Sequence, residues 1–138
     1  MKPLKEMYGL SYDSSGFNSG LITWYNQLID KTYENLTVVD VCKMIRQNIL
    51  VSVAIKKSME LFLRDPYDGE YSDGGLLGVL ASLEIDSLDV LLVDKLKTAI
   101  KDINQNYVDF EWADDETKNQ YAENIDKMCR KLEMLRNL

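Results

Sequence analysis

The sequence predicts an all-α fold: a single compact domain of about six helices. Three observations predict it. Apolar residues recur at helical spacing along most of the 138 residues. No segment carries a strong strand signal. Only two prolines interrupt the pattern, and the connections between periodic segments are short. A chain of this length suits one domain and buries roughly two thirds of its unfolded surface on folding.

The elements follow in order. Residues 1–20 carry Gly9, Gly16, Gly20 and four serines, which predicts a loosely structured arm anchored by Tyr8, Tyr12 and Phe17. From Leu21 to about Tyr33, the residues Leu21, Tyr25, Leu28 and Ile29 fall on one helical face. Thr37-Val38-Val39-Asp40 has the form of a capping box. Behind it, Val38, Val41, Cys42, Ile45 and Ile49 form an apolar stripe. Leu50–Arg64 is apolar on most sides, with Lys56, Lys57, Glu60 and Arg64 as its polar strip. This marks the central helix, and Asp65-Pro66 ends it because a residue before proline resists the helical region.

Asp73 is placed to cap a short helix reaching about Leu83, with Leu76, Leu77, Leu80 and Leu83 as its face. Asp86 or Ser87 caps the next, whose stripe is Val93, Leu96, Ile100, Ile103 and Tyr107. Residues 108–113 alternate apolar and acidic, predicting an extended connector. Asp114 caps the last helix, with Asp115 and Glu116 in its first turn and Lys127, Arg130, Lys131 and Arg136 in its later half. Both arrangements favour the helix dipole. Tyr121, Ile125, Met128, Leu132 and Leu135 form its buried stripe.

Composition excludes much chemistry. There is no histidine, hence no Ser-His-Asp triad, no Cys-His pair, no imidazole metal site and no histidine switch. Cys42 and Cys129 lie far apart within helical patterns and read as small buried apolar residues. The acids of the 65–76 loop do not fit a calcium-binding loop. Counted from Asp65, the glycine position holds Glu70 and the closing glutamate position holds Leu76. No phosphate-binding glycine motif is present. The expectation is a protein that is not an enzyme, with no catalytic residue, no cofactor and no metal. The start of the chain lacks an apolar run, and no stretch is long enough to cross a membrane, which predicts a cytoplasmic protein with no membrane partner. A formal charge of −7 argues against nucleic acid as a partner.

The charge is unevenly placed. Residues 65–94 hold eight acidic residues and no lysine or arginine, more than the whole imbalance of the chain. A second cluster, Asp109, Glu111, Asp114, Asp115 and Glu116, is interleaved with Tyr107, Phe110 and Trp112. Helix capping and solvated loops account for some of these acids, and one reading of the aromatics is that they pin a connector to the core. The alternative is a surface for a basic partner, with aromatic anchors ringed by charge. On that reading the candidate contacts are Asp68, Glu70, Tyr71 and Asp73 in the first loop, and Asp109, Phe110, Glu111, Trp112, Asp114 and Asp115 in the second. Arg46 is expected to pair with an acid of the 65–73 loop, and Asn48 to ease the turn into the central helix.

Two stretches carry a resemblance. Residues 36–48, LTVVDVCKMIRQN, form a capped helix ending in Ile45-Arg46-Gln47. Residues 65–77, DPYDGEYSDGGLL, form a loop opening into Leu76-Leu77. With the apolar helix between them, this order resembles the immunity proteins of bacterial contact-dependent growth inhibition (CDI) systems over about residues 24–83. The resemblance implies a small cytoplasmic protein that binds and neutralises the cognate toxin, the C-terminal domain of a large secreted effector, with nucleases prominent among such toxins. The alternative reading is a helical adaptor or regulatory module without a toxin partner.

Overall fold

The computed structural model describes residues 1–14, 19–70, 73–83 and 90–136, and for residues 90–92, 135 and 136 only the backbone. Seven α-helices run through the described residues: α1 (Leu4–Tyr8), α2 (Gly20–Leu28), α3 (Val38–Arg46), α4 (Val51–Arg64), α5 (Gly75–Ser82), α6 (Val90–Asn106) and α7 (Asp115–Arg136). Short 3-10 turns occupy Tyr33–Asn35 and Tyr107–Asp109. No strand occurs among the described residues, and an isolated bridge pairs Pro3 with Thr32. The all-α expectation is met.

The extra helix, α1, corrects the expected loose arm. Five residues do not hold a helix unaided. Here Leu4 is fully buried, its amide donates to the Lys31 carbonyl at 2.9 Å, and the Lys5 amide donates to Ile29 at 2.9 Å. Gly9, at φ 64°, closes the turn. The same contacts draw residues 29–32 away from α2, which therefore stops at Leu28 rather than reaching Tyr33. Leu28 and Ile29 are buried as expected, whereas Leu21 is exposed. Phe17 lies outside the described residues.

The capping box of α3 is complete. Thr37 Oγ1 accepts from the Asp40 amide at 3.2 Å, and the Asp40 carboxylate accepts from the Thr37 amide at 3.0 Å. Asp40 also ties α2 to α3. It is buried, meets Lys31 Nζ at 2.7 Å and accepts from Trp24 Nε1 at 3.3 Å. Burial pushes its carboxyl pKa up, but the Lys31 ammonium and the Thr37 amide outweigh burial and hold it below the usual range. Asn48 and Leu50 both take positive φ in the turn to α4, so the asparagine serves as expected while Leu50 accepts the same strain.

Helix α4 is central and packs on α3, α5 and α6. One residue of its expected polar strip is inside: Lys57 is buried, its ammonium 4.8 Å from the centre of the Tyr33 ring. Its alkyl stem is long enough to lie along apolar surface while the charge meets an aromatic face. The helix ends at Arg64, before Asp65-Pro66.

The expected cap of α5 is also corrected. Asp73 makes no capping bond; Gly74 holds the position, at φ 76°. The preceding loop supplies the missing acceptors, with the Gly74 amide donating to the Tyr67 carbonyl at 2.6 Å and the Leu76 amide to Asp68 at 3.1 Å. Leu76, Leu77 and Leu80 are buried and Leu83 is half-buried. Asp86 and Ser87 lie outside the described residues. Leu96, Ile100 and Ile103 of α6 and Tyr121, Ile125, Met128 and Leu132 of α7 are buried, and α7 packs on α5 and α6. The side chain of Leu135 lies outside the described set. Cys42 is buried and Cys129 half-buried, both as free thiols. Burial, with Glu70 nearby, pushes the Cys42 thiol up to about 11.

Candidate protein-binding face

The two acidic segments, apart in sequence, meet on an aromatic cluster. Tyr67 follows Pro66 in the loop after α4, where the Asp65 side chain accepts from the Tyr67 amide at 3.1 Å and turns the chain. Its ring stacks on Phe110, with centroids 4.2 Å apart and planes at 11°. Trp112 stands edge-on to both, 5.8 Å from Tyr67 and 4.7 Å from Phe110. Tyr121 of α7 lies 4.9 Å from Trp112 and 5.6 Å from Tyr67. Offset and edge-to-face arrangements suit the ring quadrupole, each pair adding about 0.5–1.5 kcal/mol beyond burial.

Hydrogen bonds lock the rings in place. Tyr121 Oη donates to the Pro66 carbonyl at 2.9 Å, and Trp112 Nε1 donates to the Tyr107 carbonyl at 2.7 Å. The second bond explains why residues 107–109 form a 3-10 turn instead of starting an extended connector. Beyond the turn, Phe110 and Trp112 both join the ring cluster and are half-buried. Beneath them Gly74 touches the cluster. A Cβ there would lie 2.4 Å from Tyr121 Cδ2 and 3.4 Å from Trp112 Cη2, so only glycine lets the loop pass this close.

The expected site residues divide by role. Asp68, Asp73, Asp109, Glu111, Asp114 and Asp115 are exposed, while Phe110 and Trp112 are half-buried in the cluster. Asp114 is occupied as the cap of α7, accepting from the Thr117 amide at 2.7 Å, and that bond holds its carboxyl below the usual pKa. Glu70 is directed inward: its side chain is 9% exposed and meets Arg46 through two bonds, one of 2.9 Å. This is the expected ion pair of Arg46 with the loop. Tyr71 lies outside the described residues.

Three further residues belong to this face. Tyr67 is its centre; an aromatic directly after proline in an otherwise polar loop is the signal that marks it. Burial raises the Tyr67 pKa, assisted by Asp102 and Asp109, and burial likewise raises that of Tyr121, assisted by Tyr67 and Asp65. Glu116 borders the same depression as Asp73, joining the two acidic segments. The result is one patch with aromatic flesh and a carboxylate rim.

No group of three or more metal-ligating residues occurs among the described residues, and no described helix is long and apolar enough to cross a membrane. An all-α scaffold presents an acid-rimmed aromatic patch, and aromatic residues are enriched at the anchors of protein interfaces. A family comparison gives the kind of protein. The family of CDI immunity proteins matches residues 6–102, well over half of the chain, and the protein belongs to that family. Membership implies a cognate toxin as partner. The match covers Tyr67 and its loop, while Phe110, Trp112 and Tyr121 lie beyond it. A comparison with curated proteins gives no significant match.

Proposed function

We propose that this protein binds the cognate toxin domain of a CDI effector in the cytoplasm and neutralises it through the acid-rimmed aromatic face. Family membership supports the toxin partner, and the face is the observation that supports the mode of binding. The toxin we infer is a nuclease. Such an enzyme must present lysine and arginine to phosphate, and an acidic protein competes for that surface. Asp68, Asp109, Glu111 and Asp115 steer the encounter, whereas the exposed edges of Phe110 and Trp112 supply apolar contact. Glu70 serves the scaffold through Arg46, and Asp114 serves α7. Neither needs to touch the toxin.

The test is association kinetics with the toxin domain from the same effector locus, together with protection of cells expressing that domain. Asp109→Lys with Glu111→Lys and Asp115→Lys is expected to slow association at least tenfold at low salt, with a smaller loss at high salt because screening removes steering. Protection falls in parallel. Unchanged association and protection would overturn the assignment of this face. Loss of nucleic-acid cleavage on adding the protein supports the nuclease reading, and a toxin without such cleavage overturns it.

A further inference from the structure

The depression bordered by Asp73 and Glu116 lies between the start of α5 and the first three turns of α7. Its volume is about 200 Å³, below the roughly 300–1,000 Å³ of small-molecule sites, so it admits one side chain rather than a cofactor. Thr117 and Gln120 form its wall, while Tyr121 and Asn124 close its floor. Asn124 is the informative residue. It is only 7% exposed, yet its side chain makes no hydrogen bond among the described residues, and its polar atoms are not sealed from the depression. Buried amides ordinarily have partners. Here Asn124 is more than nine-tenths buried, its Nδ2 lies beside Gly78 of α5, and it lines a hole whose rim carries two exposed carboxylates.

We propose that this depression is a socket for one basic side chain of the toxin, arginine by preference. The proposal rests on the binding face described above and names its specificity element. The two rim carboxylates offer acceptors only, and the floor adds the acceptor oxygen of Asn124. An anionic side chain is repelled there, and an apolar one leaves the amide unmet. A guanidinium brings five donors in a planar fork, enough to serve the rim and the floor together, whereas an ammonium offers three donors at one point. Gly74 shapes the opening, since any side chain there collides with Tyr121. The rim steers the encounter and the floor discriminates, so loss of the socket acts mainly on dissociation.

The direct test is an NMR titration of the full chain with N-acetyl-L-arginine amide, using N-acetyl-L-leucine amide as the neutral control. Saturable shifts of the Asn124 side-chain amide and the Thr117 backbone amide are expected with the arginine compound alone. Asp73→Asn with Glu116→Gln, both at exposed positions, is expected to weaken that binding at least tenfold. Absence of saturable shifts, equal shifts with the leucine compound, or indifference to the double variant would overturn the socket. With the toxin domain, Glu116→Gln and Asn124→Leu are each expected to raise the dissociation rate at least tenfold. The exposed Glu116→Gln keeps this arm decisive if Asn124→Leu fails to fold. If reversals at Asp109 and Glu111 slow association while Glu116→Gln leaves dissociation unchanged, the face stands and the socket falls. If those reversals have no effect, the face reading falls, and the arginine titration still decides the socket by itself.

Discussion

Alanine at position 74 combines two penalties that a second glycine separates. Gly74 sits at φ +76°, and its added Cβ would lie 2.4 Å from Tyr121 Cδ2 and 2.8 Å from Cε2. A left-handed conformation costs a residue with a Cβ about 1–2 kcal/mol. Forcing a methyl group into packed aromatic rings costs about 1–3 kcal/mol more. Tyr121 cannot yield cheaply, because it is buried, bonded to the Pro66 carbonyl and packed on Trp112. The sum is about 2–5 kcal/mol, which lowers the melting temperature of a domain this size by roughly 6–20 °C. Gly9 is the control: it has φ +64° but nothing within 4 Å of an added Cβ, so Gly9→Ala carries only the backbone penalty. The assay is circular-dichroism melting and urea unfolding of both variants beside the parent. Gly74→Ala matching Gly9→Ala within experimental error would refute the close approach of Gly74 to Tyr121, and with it the aromatic clasp joining the two acidic segments.

Three further predictions concern the scaffold. Arg46→Ala removes both bonds to the nearly buried Glu70 and is expected to cost about 1–3 kcal/mol by urea unfolding; Arg46→Lys, which cannot make the forked pair, recovers only part of that loss, and full recovery would contradict the bidentate geometry. Because the folded pKa of Asp40 is depressed, its ion pair with Lys31 adds stability above the ordinary carboxylate value of about 3.9 and loses it as pH falls through the lower folded value. Melting scans from pH 6 to pH 2 are expected to show an acid-induced fall that Asp40→Asn flattens, and an unchanged slope in that variant would refute the role of the pair. Burial raises both thiols, so neither cysteine is expected to react quickly with Ellman's reagent in the native protein, and Cys129 should precede Cys42. Fast labelling of Cys42 without denaturant would show that the α3 core is open.

The legible part of the site was its charge. The lysine- and arginine-free run 65–94 and the acid–aromatic alternation at 109–116 are features of composition. The roles within those segments were less legible. Asp73 and Asp114 both look like helix caps; Asp114 is one, while at α5 the backbone of the Tyr67–Asp68 turn supplies the acceptors instead. Glu70 and Asp68 read alike as acids of one loop, but it is Glu70 that turns inward to pair with Arg46 while Asp68 stays exposed. Lys57 reads as a surface charge because its helical position says nothing of the Tyr33 ring that covers it.

What the sequence determined by itself is local. A helix's apolar stripe, its cap and its proline stop are set by residues within a few positions of each other, so α3, α4, α6 and α7 were readable from spacing alone. The tertiary structure decided what depends on residues remote in the chain. It made α1 a helix by burying Leu4 against residues 29–31, and it joined Tyr67 to Phe110 and the Pro66 carbonyl to a tyrosine 55 positions away. It also turned Asn124, a polar residue on a buried stripe, into the floor of a depression rimmed by two acids. Ring stacking and side-chain hydrogen bonds act over a few ångströms in space and carry no signature of separation along the chain. Two acidic segments apart in the chain therefore met on one aromatic cluster only when the helices packed.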